Sequence, residues 1–160
     1  MKIVSDASPL IFLARINKLD FLNKYEIIIP DQVYAEIKLG KEKQKRDHIL
    51  IDSLIEKGKI KIKKVEKLER FPFNIGRGEK EVISLALEDN IKTVLLDDKK
   101  ARLCAKLNSL NAKGTLAVIT QQYKDKKINK DELKNLIFEL VNKGFRIKEE
   151  IIVEILSRIG

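Results

Sequence analysis

Asp6 lies between two apolar runs, Ile3-Val4 and Leu10-Ile11-Phe12-Leu13. Asp97 and Asp98 close a third run, Thr93-Val94-Leu95-Leu96. Taken singly, each acid has an ordinary explanation, because Asp is common at turns and helix caps. Ser8 already offers a cap oxygen beside Asp6, which weakens that explanation there. Glu79 opens the segment GEKEVISLALE. At about 100° per residue it projects with Val82, Ile83 and Ala86, whereas Glu81 projects with Ser84 and Glu88, toward water. Glu36 sits beside Ile37, three residues after Val33, at the edge of an apolar face. Carboxylates gathered in one crevice repel one another and raise their own pKa values. A hard divalent cation relieves that repulsion, and oxygen-only ligation suits Mg²⁺ or Mn²⁺. Such a site activates water and holds a phosphodiester for in-line attack.

The elements that must position these acids are legible as apolar runs. Lys2–Ser5, Glu26–Ile29 and Thr93–Leu96 are short and continuous, as buried strands are. Lys59–Val65 alternates at first, and Ala112–Gly114 suggests a last short strand. Between them lie helical patterns: from Ser8-Pro9 to about Ile16, from Asp31 to Gly40, through Ile49 and Leu54, from Glu79 to Glu88, and from Lys99 to Leu107. Strands alternating with helices predict βαβ units, a central parallel sheet and an α/β/α sandwich of Rossmann-like type. In such sheets ligands gather at the carboxyl ends of the strands, where Asp6 and Asp97-Asp98 fall. The rest is helical: Asn129 with Glu132 forms a capping-box start, Gly144 breaks the chain, and Lys148–Ile159 is a final helix.

Composition narrows the class of function. The chain has 160 residues, enough for one domain with a core of mostly Ile, Leu and Val. Its net charge of +9 favours a polyanionic partner such as nucleic acid. The single cysteine, Cys104, excludes an internal disulfide and a cysteine-based zinc site, and its pattern is that of a small buried hydrophobe. The one histidine, His48, falls in the charge run KEKQKRDH and reads as a surface residue. No apolar stretch has membrane-spanning length and MKIVSD leaves no room for a signal peptide, so a cytoplasmic protein is expected. Rival phosphate chemistries fit poorly. The first strand bears neither an acidic pair nor Asp-x-Asp, and neither a Gly-x-Gly-x-x-Gly turn nor a Walker loop follows a strand.

The segments VSDASPLIFLARI, IIIPDQVYAEI, GRGEKEVISLALE, VLLDDKKARLCAKL and KGTLAVI, in this order, resemble the PIN domain, closest to an uncharacterised VapC-like subgroup. The resemblance implies a Rossmann-like fold over residues 1–120, with residues 121–160 as a helical extension packed on it. It also implies a Mg²⁺- or Mn²⁺-dependent ribonuclease, possibly the toxin of a toxin–antitoxin pair. The family's first acid falls on Asp6 and its second on Glu36. The third falls on Glu79 or Glu81, with the helical face favouring Glu79. The fourth falls on Asp97 or Asp98, with motif spacing favouring Asp98. Ser8, Glu81 and Thr115 are expected in supporting positions. The remaining expectations are RNA phosphate contacts from Lys99, Lys100 and Arg102, a homodimer, and an antitoxin partner. The alternative is a catalytically degenerate module of the same fold that binds RNA or protein.

Overall fold

The computed structural model describes residues 1–159. Its sheet has five parallel strands in the order β3-β2-β1-β4-β5: β1 Lys2–Ser5, β2 Glu26–Pro30, β3 Ile60–Lys63, β4 Thr93–Leu95 and β5 Asn111–Lys113. Central strand β1 pairs with both β2 and β4, so that Val4 lies beside Ile28 on one side and Val94 on the other. Ile3, Val4, Ile29, Val94 and Leu95 are all buried, as strands covered on both faces require.

Among the described residues eight α-helices surround the sheet: α1 Ala7–Arg15, α2 Asp31–Glu42, α3 Arg46–Glu56, α4 Arg77–Glu88, α5 Lys99–Leu107, α6 Thr115–Lys124, α7 Lys130–Asn142 and α8 Glu149–Ile159, the last two packed outside α6 rather than on the strands. The chain steps from β1 outward to β3, then returns to β4 and steps outward the other way. Right-handed crossovers in opposite directions place their helices on opposite faces. Accordingly α1 and α3 pack together, α4 and α5 pack together, and α2 touches both α3 and α4. The direction of winding reverses between β1 and β4, and their carboxyl ends open a crevice there.

Two expectations are corrected in α2 and α3. Gly40 does not end its helix, which continues to Glu42. His48 is buried rather than exposed, with Nδ1 at 3.2 Å from the Ile37 carbonyl. The two findings share a cause. A Cβ on Gly40 would overlap the His48 ring, so the glycine is what lets α3 approach α2. The charge run around His48 hides this in the sequence, because Lys41 to Arg46 do face water and only Asp47, paired with Arg15, is buried with the histidine.

At the other end, α7 starts on Asn129, whose side chain accepts from the Glu132 amide at 2.8 Å. It buries Leu133, Leu136, Ile137 and Leu140. Gly144, at φ +97°, turns the chain toward α8. Phe145 then packs edge-on against Phe12, with ring centroids 5.0 Å apart. In contrast to α7, α8 itself buries no residue. Among the described residues, no helix is long and apolar enough to cross a membrane.

Candidate functional site

Asp6 is delivered by β1 and held by its own backbone. Its amide donates to the Leu95 carbonyl at 3.0 Å, tying the end of β1 to the end of β4. It occupies the N-cap position of α1, yet its carboxyl makes no capping hydrogen bond. Ser8 therefore does not cap the helix as expected; it lies inside the first turn, and its hydroxyl is used elsewhere. Asp6 is 9% exposed. Burial raises its pKa from 3.8 to about 7; the Ala7 amide opposes the shift, and the charges of Glu36, Glu79 and Asp97 add to it.

Asp97, at the end of β4, is the most firmly held of the acids. Its Oδ1 accepts from the Thr115 amide at 2.7 Å. Its Oδ2 accepts from the Thr115 hydroxyl at 2.8 Å and from the Ser8 hydroxyl at 2.6 Å. Residues from α1 and α6 thus fix one carboxylate beside Asp6. Asp98 behaves differently. It is exposed and caps α5, its carboxylate accepting from the Ala101 amide at 2.9 Å. Of the two neighbours, Asp97 therefore faces the crevice, against the preference that motif spacing gave to Asp98. Successive residues at a strand end point in different directions, and only the hydroxyls of Ser8 and Thr115 reveal which one turns inward.

The remaining acids come from α2 and α4. Glu36 is exposed along its length, but its carboxyl end reaches the crevice. Desolvation and the charge of Glu79 raise its pKa, against a hydrogen bond from Gln32. Glu79 accepts from the Gly76 amide at 2.9 Å at the start of α4. Its pKa is also raised, by desolvation first and by the charge of Asp98, with the Gly76 amide opposing. Glu81 is a correction: it does not point to water. It is buried, accepting from the Gln32 amide at 3.3 Å and from Arg77 Nε at 2.8 Å, and so ties α4 to the start of α2. The helical-face reading failed because α4 packs against α2 as well as the sheet, and buries a wider arc than one stripe.

Gly78 is a position within the candidate site that sequence reasoning missed. A Cβ there would lie 3.0 Å from Glu36 Oε1 and 3.3 Å from Asp6 Oδ1. The glycine keeps open the space into which both carboxyls point. Gly114 does the same beside Asp97 Oδ1, at 3.0 Å. A signal existed for Gly78: a glycine inside the first turn of a strongly amphipathic helix, where alanine would serve the helix better.

Among the described residues, no group of three or more His, Cys, Asp or Glu side chains is drawn close enough to enclose a metal ion as the side chains now lie. The donor set nonetheless has the right chemistry. It offers only carboxylate oxygens, neighbouring carboxylates help to raise the pKa of Asp6, Glu36 and Glu79, and Gly78 leaves room between two of them. Around this acidic edge, Lys99 and Lys100 are exposed at the first turn of α5. Arg102 is partly committed: Nη1 donates to the carbonyls of Leu96, at 3.3 Å, and Asp97. That guanidinium clamps the turn carrying Asp97 as well as standing near the surface.

A family model described as a PIN domain matches residues 2–160. The fold is similar to that of a PilT N-terminus domain protein from the hyperthermophilic archaeon Sulfolobus solfataricus P2, at TM-score 0.57 and 22% identity. That match covers 76% of this chain and 92% of the other. It is also similar to VapBC2 from Rickettsia felis, solved bound to a DNA fragment from their promoter, at TM-score 0.51 and 19% identity, covering 71% and 98% of the two chains. No curated protein matches the chain.

Proposed function

Because this chain belongs to the PIN domain family, we propose that it hydrolyses RNA phosphodiester bonds with Mg²⁺ or Mn²⁺ bound at its carboxylate edge. The observation that carries the proposal is geometric. Asp6, Glu36 and Asp97, delivered by β1, α2 and β4, surround the crevice at the switch point of the sheet, and Gly78 keeps the space between Asp6 and Glu36 open. Asp6 and Asp97 are the principal ligands in this reading, with Glu36 and Glu79 completing the set and Asp98 at its margin. A bound divalent ion supplies an activated water and neutralises charge on the scissile phosphate.

The chain's own residues do the rest. Ser8 and Thr115 fix the orientation of Asp97 through its outer oxygen interactions, as partners of metal ligands commonly do. Lys99 and Lys100 draw RNA phosphates to the edge, in keeping with the +9 chain. Arg102 contributes mainly by holding the Asp97 turn. The likeness to VapBC2 supports a further part of the reading: this chain is the toxin of a toxin–antitoxin pair. The same reading takes it to work as a homodimer.

A second reading, a non-catalytic RNA-binding or protein-interaction module, is favoured by one observation. Glu79 and Asp98 are each engaged at a helix start. The two readings part on a simple assay. Mn²⁺-dependent cleavage of single-stranded RNA should fall at least about a hundredfold in Asp6→Asn, since a direct ligand counts for no less than its outer partners. Cleavage unchanged by that substitution removes the nuclease reading.

A further inference from the structure

Arg77 opens α4 at the carboxyl edge of the sheet, one residue before the Gly78 that faces Asp6 and Glu36. Its Nε donates to Glu81 Oε2 at 2.8 Å. The pair is lopsided. The Glu81 side chain is 9% exposed, and its other oxygen is held by the Gln32 amide. The Arg77 side chain is 63% exposed. Its guanidinium is thus fixed at Nε from inside the protein, while the two Nη groups have no other partner among the described residues.

The place of this guanidinium matters as much as its anchoring. In the order β3-β2-β1-β4-β5, Glu36 follows β2, Asp6 follows β1 and Asp97 follows β4. Lys99 and Lys100 are exposed just beyond Asp97. Arg77 is tied through Glu81 to the start of α2, just beyond β2. Cations therefore flank the carboxylates on both sides, across two strand spacings or roughly 10 Å. A polyanion laid over the edge is repelled by the carboxylates at its middle, so its grip must come from the two ends.

We propose that Arg77 is the second anchor of a single RNA strand that crosses the edge from Lys99 and Lys100. Its Nη groups take a backbone phosphate on the α2 side of the carboxylates. This rests on the reading of the edge as an RNA site and adds the contact at its far end. The Nη fork donates two hydrogen bonds to one phosphate, which lysine cannot reproduce. With Nε already held, less side-chain freedom is lost when the phosphate arrives. Glu81 is then a positioning residue that acts through Arg77 without touching RNA.

The test uses the full chain and a fluorescein-labelled single-stranded oligouridylate of about eight nucleotides, read by anisotropy with EDTA present. Salt is varied from about 0.05 to 0.2 M. Arg77→Gln should weaken binding by about tenfold at the lower salt. It should also flatten the slope of log K against log salt by about 0.7, the share of one phosphate on a single strand. Arg77→Lys, which keeps a cation beside Glu81, should restore the slope and recover only part of the affinity. Glu81→Gln should weaken binding when Arg77 is present and add nothing to Arg77→Gln. Lys92→Gln, the same loss of charge on an exposed residue before β4, at the opposite edge of the sheet, is the control. Thermal melts report whether each variant is folded. Equal effects of Arg77→Gln and Lys92→Gln would overturn the proposal, reducing it to net charge. So would a loss from Glu81→Gln that is undiminished in Arg77→Gln. Binding is read without metal or turnover, so failure of the nuclease reading in Asp6→Asn and failure of the Arg77 anchor are separately visible.

Discussion

Asp6 carries a measurable cost. Folded, it holds its proton up to about pH 7; in the unfolded chain it ionises near 3.8. Between those values the folded state binds more protons than the unfolded one, so this group's contribution falls as pH rises and is lowest above pH 7. In metal-free buffer, Asp6→Asn should therefore stabilise the protein at pH 8, by up to about 4 kcal/mol, and change little below pH 4. Denaturant melts at the two pH values check this; equal effects at both would show that Asp6 is not held in its acid form. Gly78→Ala makes the complementary case. Helix α4 should tolerate or gain from alanine, by up to about 1 kcal/mol. Mn²⁺ binding should weaken, because the new methyl group enters the space shared by Asp6 and Glu36. Calorimetry beside a thermal melt separates the two effects.

Elements decide which of these acids can meet. The first turns of α1 and α6 are bound to the end of β4 through Asp97, so Ser8→Ala or Thr115→Ala should cost about 10–100-fold in Mn²⁺ affinity while leaving most of the fold intact. Glu81→Leu should act the other way. It leaves the Gln32 amide and Arg77 without their acceptor and should cost about 1–3 kcal/mol in stability, measured by urea unfolding.

Much of this arrangement was legible in advance. Apolar runs ending in Asp6 and Asp97-Asp98 mark strands and their carboxyl ends, and the alternation with helices marks the parallel sheet. What was hidden depends on residues distant in sequence. Ser8 chooses Asp97 over Asp98 from 89 residues away. Burial of Glu81 depends on where α2 docks, and burial of His48 depends on Gly40. Periodicity within one helix carries none of that information.

At the scale of the molecule, a basic chain surrounds an acidic edge at its sheet's switch point. Repulsion among the carboxylates is relieved only by protons or cations. Mn²⁺ should consequently raise the melting temperature, by the equivalent of about 2.7 kcal/mol at a hundred times its Kd, and more strongly at pH 8 than at pH 5, as protons leave the ligands. Asp6→Asn should lose that response. The site itself is tested most directly by a crystal of the protein grown with Mn²⁺ near pH 8 and measured at the manganese edge. The account predicts an anomalous peak over Gly78, within coordination distance of Asp6 and Asp97. Diffraction that shows manganese elsewhere on the molecule, with none at that edge, would contradict it.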